Sequence, residues 1–142
     1  MPFDVEALLR LWTEPLADDA TAQGAFRALY TDPVTVNGRT LTVADLVTRA
    51  RAVQGTFEQV ERRVVAVVED GDRLAVAFRM GGRQVGPLQT AAGPLPPTGR
   101  HLELRVIDVL TLTGGRISEI VMVADELGAL AALDAVRLVP AS

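Results

Sequence analysis

A single acid interrupts an apolar row in the segment HLELRVIDVLTLT, residues 101–113. Because side chains alternate between the two faces of a β-strand, Asp108 is expected to share a face with Leu102, Leu104, Val106, Leu110 and Leu112. A carboxylate in apolar surroundings is unstable unless it is paired, hydrogen-bonded or protonated. Two interpretations stay open. Asp108 is either a structural group bonded to backbone or to Arg79 or Arg105, or a carboxyl with a raised pKa that moves a proton.

A second acid, Asp125, stands where the apolar segment 116–124 gives way to a helical pattern. Asp is a preferred helix N-cap residue, which provides a structural interpretation. The two acid-bearing segments are joined by the tight turn Gly114-Gly115, so the two carboxyls are also expected to lie close together. Two carboxyls in different surroundings can divide the roles of acid and base.

Other side chains are candidates for binding a substrate. Most large apolar residues are predicted to be core, and some of them to line a ligand cavity, which is usually apolar with few polar groups. Arg79 stands inside a strand pattern and is predicted to hold a ligand oxygen or an acid. Asn37-Gly38 predicts a turn, and His101 is expected to be exposed. The candidate substrate contacts are Trp12, Tyr30, Asn37, Phe57, Phe78, Arg79, Met80 and Met122.

The composition excludes several function classes. The 142 residues contain no cysteine and one histidine, so thiolate catalysis, disulfides and zinc–thiolate sites are excluded, and no metal or cofactor is predicted. The net charge of -4 and the scattered arginines argue against nucleic acid as a partner. No apolar run approaches the roughly 20 residues that cross a bilayer. A cytoplasmic protein is expected, with one domain over residues 1–142 and a flexible tail from about residue 137.

The elements that must position these residues follow from the apolar spacing. An N-terminal helix ends at Glu14-Pro15, and a second helix runs from about Asp19 to Tyr30 and is broken by Asp32-Pro33. Thr42 with Asp45 resembles a capping box and opens a third helix that ends near Gly55. Strands are predicted over residues 61–69, 74–80, 100–113 and 116–124, and a last helix over 125–136. Beyond its first residues, the Gly/Pro-rich segment 81–99 is predicted to be loop.

Three helices followed by a meander of four long strands indicate an α+β fold. We expect a cone-shaped α+β barrel, in which a strongly curved, mainly antiparallel sheet is covered by the N-terminal helices and encloses a pocket. Residues 86–99 are either a lid over that pocket or a plain hairpin connection, and the plain connection is favoured.

Four segments resemble the SnoaL-like polyketide (ester) cyclase domains of the nuclear transport factor 2-like superfamily. They are LYTDPVTVNG (29–38), GDRLAVAFRM (71–80), PPTGRHLELRVIDVLTLTGGRISEI (96–120) and VADELGAL (123–130). The resemblance as a whole covers nearly the entire chain. In those cyclases an Asp after the last strand is the general acid/base of an intramolecular aldol ring closure, and the resemblance implies this role for Asp125. In the related ketosteroid isomerases a strand Asp stays protonated in the oxyanion hole, and the matching residue is Asp108.

The chain also departs from these patterns. The isomerase base would fall near Asn37 and its oxyanion tyrosine near Leu11 or Trp12, so steroid isomerisation of that kind is not expected. A frequent cyclase tryptophan is replaced by Val121, and the G-T-H of the second strand reads Gly82-Arg83-Gln84.

The resemblance therefore implies a small-molecule-binding domain that acts as a cofactor-independent cyclase or isomerase. Its substrate would be a hydrophobic, polyketide-like carbonyl compound, and Asp side chains would supply the acid/base chemistry. A homodimer through the outer sheet face is expected. A non-catalytic module that binds a hydrophobic ligand, and an interaction domain with a filled core, remain the alternatives.

Overall fold

The chain folds into helices packed on one face of an open, curved sheet. The computed structural model describes residues 3–141, which form four helices and eight strands. In chain order these are α1 (Val5–Thr13), α2 (Asp19–Leu29), β1 (Tyr30–Val36), β2 (Arg39–Leu41), α3 (Val43–Thr56), β3 (Glu61–Asp70), β4 (Arg73–Arg83), β5 (Leu88–Thr90), β6 (Gly93–Leu95), β7 (His101–Thr113), β8 (Arg116–Ala124) and α4 (Glu126–Ala132).

Six strands form the main sheet in the order β2-β1-β8-β7-β4-β3, and β5 and β6 form a separate hairpin. Neighbouring strands of the main sheet are antiparallel except β1 and β8, which run parallel. The predicted α+β class and curved, helix-covered sheet are confirmed, and the sheet is unclosed because β2 and β3 remain edge strands.

Local sequence signals start and end the helices as expected. The Asp4 carboxylate accepts from the Ala7 backbone N–H at the start of α1, and α1 ends at Thr13, just before Glu14-Pro15. Thr42 and Asp45 form the predicted capping box of α3, in which each side chain accepts from the other residue's backbone N–H. These contacts satisfy backbone groups that have no partner inside a helix.

Three element predictions are corrected, and long-range strand pairing explains the first of them. The chain leaves α2 at Leu29, and Tyr30 opens β1, which continues through Asp32-Pro33. Tyr30 pairs with Ile117 and its ring stacks on Phe26, so strand pairing and aromatic burial outweigh the helical pattern. Residues 86–99 contain the β5–β6 hairpin as well as loop. The last helix ends at Ala132, four residues earlier than expected.

The two faces of the main sheet differ in composition. The face that the helices cover is called the concave face here. Its buried side chains include Val76, Phe78, Leu104, Val106 and Leu110. The opposite face is called the outer face and carries exposed apolar side chains. The alternation predicted along residues 101–113 is thus confirmed.

Gln84 directly follows β4 and holds the next segment in place through hydrogen bonds. Its side chain is fully buried. The amide nitrogen donates to the carbonyls of Gly86, Leu95 and Pro96, and the amide oxygen accepts from the Thr98 N–H and hydroxyl. One side chain therefore fixes both ends of the β5–β6 hairpin.

No helix within residues 3–141 is long and apolar enough to cross a membrane.

Candidate active site on the concave face

Asp108 lies on the concave face, in the middle of β7. It stands between Val76 of β4 and Met122 of β8 in the strand register. Val76 is fully buried, whereas Met122 is 41% exposed. Along its own strand Asp108 is flanked on the same face by the buried Val106 and Leu110. The carboxyl group therefore sits at the boundary between the packed core and the accessible part of the concave face.

The surroundings of Asp108 disfavour its charged form. Its Oδ1 atom is buried and has no hydrogen-bond partner among the described residues. Burial raises the pKa of Asp108 from 3.8 to about 6. A carboxyl with this pKa has both protonation states accessible near neutral pH, which is the property of a general acid/base.

Arg79 and Arg105 do not pair with Asp108. The two arginines pair with each other in the β4–β7 register. Each is the chain neighbour of a residue on the concave face, Phe78 for Arg79 and Val106 for Arg105. Both side chains are therefore on the outer face, and Arg79 lies 3.5 Å from Glu103. The acid that Arg79 was predicted to hold is therefore Glu103, and the position of the pair on the outer face places Arg79 away from the concave face, where a ligand was expected.

A buried aromatic cluster lies close to Asp108. The Trp12 Nε1–H donates to the Tyr30 hydroxyl at 2.7 Å, and the Phe26 ring packs against both aromatic rings. Burial raises the pKa of Tyr30 well above its ordinary value, and the charge of nearby Asp108 raises it further. Tyr30 therefore stays protonated, so it is a core residue that can donate a hydrogen bond but cannot serve as a base.

Asn37 holds the backbone of the residue opposite Asp108. The Met122 N–H donates to Asn37 Oδ1 at 2.8 Å, and Asn37 Nδ2 donates to the Met122 carbonyl at 3.3 Å. Asn37 also occupies the predicted turn between β1 and β2, with a φ of 49° that Asn tolerates. Its side chain thus positions Met122, a role that no sequence pattern indicates.

The remaining predicted contacts vary in exposure. Phe57 and Phe78 are buried, and Met80 is partly buried on the concave face opposite Leu104. These three side chains contribute to the apolar packing of the cone.

Asp125 is held by two partners on the other side of the sheet. Its Oδ1 accepts from the Gly128 N–H at 2.8 Å as the N-cap of α4, and its Oδ2 accepts from Arg105 Nη2 at 2.7 Å. The hydrogen bond from Arg105, followed by that from Gly128, holds the pKa of Asp125 below its usual value. The two carboxyls do not share a site in the structure, and this arrangement favours a structural role for Asp125 over the acid/base role that the resemblance implied.

Asp108 lines neither of two cavities in the described part of the chain. One holds about 10 Å³ between α2 and α3, room for about one water molecule. The other is an open groove of about 510 Å³, lined by Thr13, Pro15, Gln54, Phe57, Glu58, Gln59, Val60 and Glu61. The predicted pocket at the centre of the cone is largely filled, because Val76, Val106 and Leu110 pack around Asp108.

The remaining side chains offer few other catalysts. All 14 basic residues are arginines, so no lysine amine exists to act as nucleophile or base. His101 is exposed and lies 3.7 Å from Glu61. Among residues 3–141, no group of three or more His, Asp or Glu side chains is arranged to hold a metal ion.

Comparison with known proteins identifies relatives of the whole chain. A sequence model described as SnoaL-like polyketide cyclase matches residues 6–133. No curated protein sequence matches the chain.

Several solved structures share the fold. TsrD from Streptomyces laurentii is 19% identical with a TM-score of 0.77, over 93% of this chain and 92% of that one. A proposed SnoaL-like polyketide cyclase from Jannaschia sp. CCS1 is 23% identical with a TM-score of 0.69, over 94% and 92%. A proposed polyketide cyclase from Acidithiobacillus ferrooxidans is 19% identical with a TM-score of 0.71, over 91% and 92%.

Proposed function

Because the chain belongs to the SnoaL-like polyketide cyclase family, we propose that it binds a small hydrophobic carbonyl compound and catalyses a cofactor-independent proton transfer on it. The observation that carries this proposal is Asp108. Its carboxyl group is half-buried on the concave face, has an unpartnered Oδ1, and has a pKa raised to about 6. Perturbed carboxyls of this kind are concentrated at catalytic sites.

In the proposed reaction Asp108 acts first as a base and then as an acid. The ionised carboxylate accepts a proton from the carbon next to the substrate carbonyl, and the electrons of that C–H bond form an enolate. In an aldol-type ring closure the enolate carbon then attacks a second carbonyl of the same molecule. The resulting alkoxide takes the proton back from the neutral Asp108 carboxyl, so the carboxylate is regenerated and no cofactor is consumed.

The neighbouring residues support this role of Asp108. Val76, Val106 and Leu110 exclude water from one side of the carboxyl group, which keeps its pKa high enough for it to accept a proton. Asn37 fixes the Met122 backbone on the other, accessible side. We assign Asp125 the structural task of joining β7 to α4 through Arg105 and the helix cap.

The proposal is tested with 2-tetralone, a hydrophobic ketone with acidic α-hydrogens. The protein is expected to accelerate the exchange of those hydrogens in deuterium oxide, as followed by proton NMR. The rate should saturate with ketone concentration and rise with pH through about 6, because Asp108 must be ionised to accept the proton. Exchange no faster than in buffer, together with saturable binding of the ketone, would instead support the non-catalytic ligand-binding module.

The lack of a charged partner for Asp108 favours the non-catalytic ligand-binding module. No arginine, histidine or second acid bonds to Asp108 within the described residues, so a substrate oxygen has no fixed charged donor beside the carboxyl group. A protein that only binds a ligand needs no such donor.

We also propose a homodimer through the outer face. Two apolar rows cross four strands there: Val68, Ala75, Val109 and Val121 in one, and Ala66, Ala77, Ile107 and Val123 in the next. Val123 is 70% exposed and Ile107 is 54% exposed. A continuous apolar surface of this kind is typical of a protein–protein contact. The adjacent row is charged and contains Arg63, Arg79 and Arg105, so it forms a polar rim.

Replacing Ile107 by Glu is expected to convert the dimer into a monomer, because the charge would be buried without a partner at the centre of the contact. Sedimentation velocity measures the change. Val85→Glu is the matched control, since Val85 is an exposed valine outside the main sheet. A monomeric wild-type protein, or a dimeric Ile107→Glu variant, would contradict the proposed interface.

A further inference from the structure

Like Asp108, Arg62 lies on the concave face and has a buried polar atom without a hydrogen-bond partner among the described residues. It pairs with Met80 in the β3–β4 register, and Met80 pairs with the buried Leu104, so Arg62 faces the helices. Its side chain is 22% exposed. Nη1 donates to the Thr13 hydroxyl at 3.3 Å, and Nη2 donates to Glu6 Oε2 at 3.4 Å, whereas Nε is buried without a partner.

These contacts leave Arg62 with unused hydrogen-bonding capacity. Hydrogen bonds from N–H to oxygen are usually about 2.7–3.2 Å long, and those from arginine to a carboxylate are shorter still, so the contacts to the Thr13 hydroxyl and the Glu6 carboxylate are weak. A buried donor without an acceptor is unfavourable. Within residues 3–141 only two buried side-chain polar atoms lack a partner, Arg62 Nε and Asp108 Oδ1. One is a donor and the other an acceptor, and both belong to the concave face.

The open groove lies beside Arg62, although the Arg62 side chain is not part of the groove wall. Thr13, which accepts from Arg62, is part of the groove wall, and the groove volume of about 510 Å³ suits a small organic molecule. Two carboxylates also line it, but Glu58 is paired with Arg83 at 2.7 Å and Glu61 lies 3.7 Å from His101. With Glu6 beside Arg62 as well, the local charge does not favour an anion. The better match is a neutral oxygen acceptor.

We propose that Arg62 Nε–H binds a carbonyl oxygen of a neutral ligand that occupies the groove. The ligand displaces the weak contacts to Thr13 and Glu6. The inference goes beyond the proposed function, because Asp108 does not line the groove and the two sites can be tested separately.

The test uses two neutral probes that differ in one carbonyl, 2-acetylnaphthalene and 2-ethylnaphthalene. The full chain is expected to bind the acetyl compound about tenfold more tightly, as one hydrogen bond from a charged donor provides. The acetyl compound should also shift the Arg62 Nε–Hε signal in a nitrogen–proton NMR spectrum. Arg62→Gln should remove both the preference and the signal. Arg63→Gln should keep them, because Arg63 is exposed and belongs to the outer face.

Two results would overturn the proposal for Arg62. One is an equal preference for the acetyl compound in Arg62→Gln and the wild type. The other is an unshifted Arg62 signal in the presence of 2-acetylnaphthalene, including the case in which neither probe binds. Asp108→Asn should retain the preference. If Arg62 binds the carbonyl but no α-hydrogen exchange occurs with 2-tetralone, the anchoring role stands and the catalytic proposal alone fails.

Discussion

Replacement of Asp108 by Asn is expected to abolish most of the exchange activity toward 2-tetralone, lowering kcat/KM by roughly 10²–10⁴-fold, the usual contribution of a general acid/base. Asn has nearly the same size and shape as Asp but neither accepts nor releases a proton at neutral pH. The residual rate should also lose its dependence on pH near 6, because the group that titrates there has been removed.

The same substitution is expected to stabilise the protein at neutral pH. The pKa of Asp108 is about 6 in the native protein and near 3.8 in the unfolded chain, so the native state binds this proton more tightly. The stability that the proton provides is complete below about pH 3.8 and is lost as the pH rises to about 6. Above pH 6 the buried charge costs about 3 kcal/mol, as the difference between the two pKa values requires. Asp108→Asn avoids this cost.

Urea unfolding at pH 4 and pH 7.5 measures the change. The free energy of unfolding of Asp108→Asn should exceed that of the wild type by about 3 kcal/mol at pH 7.5, and the two should be closer at pH 4. Asp125→Asn is the matched control for activity, because Asn also caps helices and Asp125 is paired on the other side of the sheet. Full exchange activity in Asp108→Asn, or its loss in Asp125→Asn, would contradict the assignment of roles.

Gln84→Leu is expected to be strongly destabilising, lowering the free energy of unfolding by about 3 kcal/mol or more. Leucine fills a similar volume but leaves three carbonyls, one N–H and one hydroxyl without their partner. Each buried polar group left unsatisfied costs about 1–3 kcal/mol, and some of these groups will recover a bond to water.

Urea unfolding and amide hydrogen exchange separate the global and local parts of this effect. Residues 88–95 should exchange faster in Gln84→Leu, because the hairpin loses the side chain that fixes both its ends. Gln89→Leu is the control, since Gln89 is an exposed glutamine of the same hairpin. A Gln84→Leu protein as stable as the Gln89→Leu protein would show that the buried network contributes little.

The sequence allowed correct prediction of features that depend on neighbours along the chain. The alternation of buried and exposed side chains along residues 102–110 follows from the period of a strand. The Thr42–Asp45 capping box and the Asn37-Gly38 turn follow from backbone preferences at three or fewer residues' separation. The position of Asp108 on the apolar face belongs to the same group, because it requires only the period of a strand.

Features that depend on distant partners were missed or misplaced. Whether Tyr30 ends a helix or opens a strand is decided by Ile117, 87 positions along the chain. The proximity expected for Asp108 and Asp125 fails because Asp125 turns toward Arg105 on the outer face. The burial of Gln84 and Arg62 could not be predicted, because an isolated polar residue in a strand pattern has the same sequence context whether it is exposed or buried. Their roles come from hydrogen bonds to loop and helix residues that no periodicity indicates.

The most direct measurement is the pKa of Asp108 itself, from the carboxyl carbon chemical shift in a pH titration by NMR. Asp108→Asn identifies the signal by its disappearance, and Asp125 serves as the internal comparison. We expect a midpoint of about 6 for Asp108 and a midpoint below the ordinary value for Asp125. A midpoint for Asp108 at or below about 3.9, the value of an unperturbed Asp, would show that its carboxylate is stabilised in the native protein. The proposed proton transfer would then be wrong.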